Sequence, residues 1–208
     1  MDCASSALLV VDLQNDFCER GALAVPGGDE IVGIVNLLMP RFERVVLSQD
    51  WHPAGHVSFA SSWPDREAYE TIEAAGIPQI LWPDHCVQGS PGAAFHPGLD
   101  TARASIILRK GFRPQLDSYS CFFENDRTTP TGLDGALKSL GLRSLYIAGL
   151  ATDFCVLYTV LDAIRLGYSI YIVEDAVRGV DFPPGNVARA FAVMRRAGAS
   201  TIASEALL

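Results

Sequence analysis

The 208-residue chain contains no long apolar run. Its first apolar stretch, Ala7–Val11, is too short for a membrane span or for the hydrophobic part of a secretory leader. An acid at position 2, rather than a positive segment, precedes it. Runs of basic residues are absent too. With 16 Lys and Arg against 24 Asp and Glu the net charge is −8, which disfavours nucleic acid and anionic membrane surfaces as partners. Cysteine is sparse: Cys3, Cys18, Cys86, Cys121 and Cys155 form an odd, scattered set without a CxxC pair. This spacing excludes a disulfide scaffold and predicts reduced thiols, hence a cytoplasmic location. Internal repeats and low-complexity tracts are missing. Only four histidines occur, so where they fall is informative.

What is present is a core-forming composition. Hydrophobic residues make up 49% of the chain, far from the profile of a disordered protein. The length suits one sizeable α/β domain spanning 1–208. Short apolar runs of strand type recur at Ala7–Asp12, Arg44–Gln49, Ser105–Arg109, Ser144–Ala148 and Ser169–Val173, with a weak sixth at Thr201–Ala203. Apolar spacings of three and four predict helices at Asp29–Phe42, Thr131–Leu140, Asp153–Leu166 and Pro184–Ala197, with Gly167 as a stop. A further short helix is expected at Arg66–Ala75. Continuous apolar strands alternating with helices imply βαβ units buried on both faces. The expected fold is α/β, a three-layer α/β/α sandwich around a mostly parallel sheet. The stretch from Pro53 to Phe112 is less regular and reads as an insertion over a site.

In such sheets ligands bind beyond the carboxyl ends of the strands. Four chemically capable residues sit at those ends: Asp12, Asp50, Lys110 and Cys155. In "SQDWHPAGH", Asp50 and His52 are two apart and point the same way from a strand end. His56 follows across a Pro-Ala-Gly turn, and "LWPDHCV" supplies His85. One carboxylate and three imidazoles suit a divalent transition metal such as Zn²⁺, Fe²⁺ or Mn²⁺. Cys155 stands where a strand hands over to a helix, a place whose exposed N–H groups and dipole favour a thiolate. As a nucleophile it needs a base and a positive neighbour; Asp12 and Lys110 can supply them. Taken singly, Asp12 reads as a turn residue, Lys110 as a surface lysine and Cys155 as core; their common placement at strand ends favours chemistry. Asp153 is placed to cap the helix after it. Cys18 reads as a structural thiol beside the Asp12 loop, and Cys3, Cys86 and Cys121 as plain thiols.

Six stretches together resemble the nicotinamidases of the isochorismatase-like cysteine hydrolase superfamily: "VVDLQNDFCERGALAVPGGDEI", "LSQDWHPAGHVSFASSW", "LWPDHCVQGSPGAAFHPGL", "LRKGF", "GLATDFCV" and "VEDAVRGVD". The resemblance covers nearly the whole chain. It implies Asp12 as general base, Lys110 as the third member of the triad and Cys155 as nucleophile. It implies Asp50, His52, His56 and His85 as metal ligands, in a metal-binding insertion at about 53–104. Phe17, Trp82 and Tyr119 match residues that wall the substrate pocket. The Leu150–Ala151 peptide matches a cis position that aims the Ala151 N–H, with that of Cys155, at a developing oxyanion. The implied reaction converts nicotinamide to nicotinate and ammonia through a cysteine thioester, and pyrazinamide is an expected second substrate. A homo-oligomer is compatible with the sequence.

Three rivals remain at this stage. A cysteine amidohydrolase of carbamoyl or ureido substrates would keep the triad, but the two metal motifs speak against it. A non-catalytic metal-binding scaffold would not need Asp12, Lys110 or Cys155. A relative that uses no cysteine, such as an isochorismate hydrolase, is disfavoured by Cys155.

Overall fold

A computed structural model describes residues 5–208, so Cys3 lies outside the described residues. Six parallel strands form the central sheet: β1 (Ser6–Val11), β2 (Val45–Asp50), β5 (Ile106–Lys110), β6 (Ser144–Leu150), β7 (Ser169–Arg178) and β8 (Ser200–Ile202). Their order is β5-β2-β1-β6-β7-β8. Strands are added outward in opposite directions from β1 and β6, and the crevice for a ligand opens at the carboxyl ends of those two strands. A separate antiparallel pair, β3 (Thr71–Ala74) and β4 (Ile77–Ile80), stands in the insertion.

β1 shows why the strands are apolar throughout. All six of its residues are buried. Leu8 and Val10 point to one side, into a cluster with Ile31, Val35 and Leu38 of α1 (Ile31–Leu38). Ala7, Leu9 and Val11 point to the other, against Leu137 of α2 (Leu133–Ser139), Val156 just before and Val160 within α3 (Leu157–Arg165), and Met194 of α4 (Asn186–Ala197). Period-two alternation thus feeds two cores, and the three-layer sandwich follows.

Several elements differ from the sequence expectation. The short helix at Arg66–Ala75 is replaced by the β3–β4 hairpin. Its turn is Ala75-Gly76, both at positive φ (51° and 77°), the handedness that a two-residue hairpin turn requires. Thr71, Ile72, Ile77 and Ile80 add β-branched side chains that favour a strand. The helix expected at Asp29–Phe42 is α helix only over Ile31–Leu38; tighter 3₁₀ turns flank it at Gly28–Glu30 and Met39–Arg41, the second containing Pro40. β7 continues beyond Val173 to Arg178, with a register shift against β6 between Ile147 and Gly149. Glu174 and Asp175 thus lie inside it, and Asp175 accepts hydrogen bonds from the backbone N–H and hydroxyl of Ser204.

Gly149 marks how closely the two central strands approach where the site begins. It pairs with Val11, has φ +114°, and a Cβ there would lie 2.0 Å from the Val11 carbonyl oxygen. We expect Gly149→Ala to lower stability by more than about 3 kcal/mol, through both backbone strain and overpacking. Gly135, exposed in α2 with open space around it, is the control. Gly135→Ala should raise stability by about 0.5–1 kcal/mol through helix propensity. Urea unfolding midpoints of the two variants test the contrast.

Candidate active site

Lys110, at the end of β5, is fully buried. The β2–β5 pairing sets it beside Asp50, and β1 brings Asp12 to the same level. The ammonium donates to Asp50 Oδ1 at 3.1 Å, to the Ser118 carbonyl at 3.0 Å and toward Cys155 Sγ at 3.5 Å. Asp12 Oδ2 lies 2.8 Å from Nζ as an ion contact, yet has no aligned hydrogen bond. Asp12 Oδ1 accepts from Ser48 Oγ at 2.6 Å, and Ser48 Oγ in turn accepts from the Asp12 N–H at 3.1 Å. Asp12 itself has φ +46°, a left-handed turn at the strand end.

The two carboxyls in this buried cluster are unequal. Burial works against the charge of Asp50, but His52 and Lys110 outweigh it and hold the group well below the usual carboxylate range. Burial raises Asp12, Lys110 pulls it back, and the neighbouring Asp50 charge pushes it up again. Asp12 is therefore the carboxyl poised to accept a proton. Lys110 stays charged well past the usual lysine range, because Asp12 and Asp50 overcome the desolvation that opposes it. For Cys155, burial raises the thiol well above its ordinary value while Lys110 opposes the rise. The resting group is a thiol. The thiolate expected from a helix terminus is not favoured: Cys155 lies in a widened π turn, Thr152–Val156, before α3, and burial wins. The Leu150–Ala151 peptide ahead of that turn is cis.

A metal-ligating trio adjoins this cluster. Ligand atoms of Asp50, His52 and His85 all lie within 4.8 Å of one another, and all three residues are buried. His52 Nε2 is 3.0 Å from Asp50 Oδ2, and His85 Nε2 is 3.6 Å from the same oxygen. Each imidazole has a carbonyl behind it: His52 Nδ1 is 2.8 Å from the Gly111 oxygen and His85 Nδ1 is 2.8 Å from the Pro83 oxygen. His52 Nε2–H donates to Asp50 Oδ2; with a metal bound, the Nδ1–H donations would leave each Nε2 lone pair free to ligate it, the tautomer a metal requires. This donor set fits a divalent transition metal. Burial opposes the His52 proton, but Asp50 raises this group to about 9. His56 stands one step away. Its ring stacks on His52 at 4.3 Å, its Nε2 is buried without a hydrogen-bond partner, and it groups with His52 and Asp117 instead. Burial and His52 lower its pKa to about 4, so it is neutral at pH 7.

One narrow cavity joins both clusters. It is lined by Cys155, Ala151, Asp50, His52 and His85, with Phe17, Trp82 and Tyr119 as aromatic walls. Trp82 donates from its indole N–H to the Tyr119 hydroxyl at 3.0 Å. A protein-family model described as the isochorismatase domain matches residues 6–206.

The chain belongs to the isochorismatase family. It is 50% identical over 198 residues to a nicotinamidase of Escherichia coli, covering 93% of this chain and 92% of that one. The structure of a nicotinamidase/pyrazinamidase from Acinetobacter baumanii superposes with a TM-score of 0.97 at 47% identity, over 100% of both chains. A pyrazinamidase of Pyrococcus horikoshii, solved in complex with zinc, superposes with a TM-score of 0.78 at 35% identity, over 96% of this chain and 99% of that one.

Within this isochorismatase fold the cavity has walls that the sequence reading missed: Leu23, Val25, Asp117, Phe154 and Val180. Phe154 packs edge-on against Trp82 at 4.9 Å. Its neighbour Cys155 was the available signal, whereas Val180 comes from a loop remote in sequence. Ser48 was legible in principle, two residues before Asp50 on the same strand. Asp153 differs from its expected role. It caps no N-terminus; its carboxylate accepts from Val180 N–H and Asp181 N–H at 3.0 Å each, and from the Asn186 side chain at 3.2 Å. The nucleophile turn is thereby tied to the loop that carries Val180 into the cavity. Cys18 does not line this cavity.

Lys110→Met tests the charge cluster. It leaves Asp12 buried without its cation, while Asp50 keeps only His52, at a cost of about 3–5 kcal/mol. Without Lys110 the folded-state pKa of Asp12, already raised by burial, moves further above the unfolded value of about 4. The deficit should then be full near pH 7 and shrink as pH falls toward the folded-state pKa values, because a raised pKa contributes stability on the acid side. Urea unfolding of variant and wild type between pH 4 and 8 checks both size and sign; a pH-independent deficit would count against it.

Proposed function

We propose that this protein is an amidohydrolase that converts nicotinamide to nicotinate and ammonia through a cysteine thioester. One observation carries the reading: Cys155, backed by the buried Asp12–Lys110 pair, and the Asp50–His52–His85 trio line the same aromatic-walled cavity. The nicotinamidase and pyrazinamidase relatives support it.

The chain's own groups account for the chemistry. Phe17, Trp82 and Tyr119 hold a flat ring in a dry space. Asp12 takes the thiol proton of Cys155, and Lys110, 3.5 Å from the sulfur, stabilises the resulting thiolate. The thiolate attacks the carboxamide carbon, and the oxyanion is received by the N–H groups of Ala151 and Cys155. Asp12 returns the proton to the departing ammonia. It next removes a proton from water, which hydrolyses the thioester and frees Cys155. A divalent metal (zinc, iron or manganese) held by Asp50, His52 and His85 would supply a Lewis-acidic anchor for the pyridine nitrogen. His56, stacked on His52, steadies that ligand rather than joining the trio. Pyrazinamide, with the same ring-nitrogen geometry, is the second substrate.

The same reading treats 1–208 as one hydrolase domain with a metal-binding insertion at about 53–104, acting in the cytoplasm. Its partner is a small molecule, with no nucleic acid or membrane; a homo-oligomer is compatible with it.

Ammonia release from nicotinamide is the test. Cys155→Ala should abolish turnover while metal stays bound, and His52→Ala should lose metal and raise KM. Near-normal turnover by Cys155→Ala would sink the covalent route. Benzamide, which lacks the ring nitrogen, should bind more weakly; equal kinetics on benzamide and nicotinamide would count against a metal–ring contact.

A further inference from the structure

His96 is the one histidine the reaction leaves unused, and it does not stand alone. Ligand atoms of Cys18, Asp29 and His96 lie within 4.8 Å of one another. They border a solvent-open surface cavity of about 340 Å³, separate from the active-site cavity. Three backbone segments deliver them. Cys18 follows the 3₁₀ turn Asn15–Phe17, and Asp29 lies in the turn Gly28–Glu30 that leads into α1. His96 sits in the loop after His85, held by its N–H to the Leu13 carbonyl at 2.9 Å. Asp29 Oδ2 accepts from the Glu19 N–H at 2.6 Å, which orients the carboxylate and leaves Oδ1 3.3 Å from His96 Nε2.

We infer that Cys18, Asp29 and His96 form a second transition-metal site, of the zinc type, which ties the turn carrying Phe17 to the start of α1 and to the 91–98 loop. A thiolate, an imidazole and a carboxylate with an open side for water is a donor set for zinc or cobalt, not for magnesium or calcium. Without metal the Cys18 thiol is protonated, since burial and then Asp29 push it up to about 12. His96 Nδ1 then accepts from the Gly98 N–H at 3.1 Å, which places the ring proton on Nε2. On ligation the Cys18 proton leaves to solvent as the metal–sulfur bond forms. The imidazole proton moves to Nδ1, and the exposed Gly98 N–H turns to water. The negative charge of Asp29, which disfavours a free thiolate, is then neutralised by the cation.

A cobalt titration of the full chain, freed of metal by chelation, is decisive because the active-site trio contains no sulfur. A near-ultraviolet thiolate-to-cobalt charge-transfer band should appear in wild type and in Cys155→Ala, and be absent from Cys18→Ser. Losing even a hydrogen-bond partner of a ligand costs about 10–100-fold in metal affinity. His96→Ala should therefore weaken the cobalt affinity read from the band by more than about tenfold. Asp29→Asn, at a half-exposed position, supplies an independent arm if Cys18→Ser does not fold, and should weaken the band likewise. No band in folded wild type, a band lost with Cys155 rather than Cys18, or unchanged affinity in both His96→Ala and Asp29→Asn would overturn the site.

Discussion

A lysine ammonium sealed in the protein interior is tolerable only if opposite charge meets it, because desolvation costs several kcal/mol per ion. Here Lys110 is met by Asp12 and Asp50. These three groups come from the ends of three neighbouring strands, so their meeting depends on parallel pairing in one register. A slip of one residue would turn any of them to the opposite face of the sheet. The close approach of β6 to β1 at Gly149 then sets the nucleophile turn against the same cluster. The sheet is in this sense a device for holding one cation and its partners at fixed spacing.

Asp50 links two chemistries. Its Oδ1 accepts from Lys110, and its Oδ2 faces His52 and His85. A single carboxylate thus belongs both to the proton-handling cluster and to the metal-ligating trio, and its charge is shared between them. That sharing accounts for the inequality of the two acids: Asp50 is locked in its charged form, while Asp12 retains an oxygen free of aligned donors. General-base work requires that inequality.

The cavity is closed by segments far apart in the chain. Val180 reaches it from the loop after β7, anchored by Asp153, and Phe17 reaches it from the turn after β1. Side chain to backbone contacts help hold these walls, as with Asp153 on Val180 and Asp181, and Asp29 on Glu19. Such contacts position loops without a large apolar core of their own. The proposed Cys18–Asp29–His96 metal site extends the same principle to the Phe17 side.

The sequence by itself determined the strand–helix alternation, the layering and the residue types at the strand ends, because apolar periodicity reports which faces are buried. It also carried Asp12, Asp50, His52, His85, Lys110 and Cys155 in recognisable local motifs. Tertiary structure decided the rest. A short helix is the sequence expectation for 66–75, yet a left-handed Ala75-Gly76 turn makes a hairpin. Asp153 has the composition of a cap, yet its acceptors are used by a loop nearly thirty residues away. His56 matches a ligand spacing, but the turn after His52 stacks it on that ring and leaves it outside the trio. The charge state of Cys155 was equally invisible, since it follows from burial and from the distance to Lys110 rather than from its place before a helix. Local patterns encode which side chains face inward; only the folded packing sets the distances, and proton affinities depend on those distances.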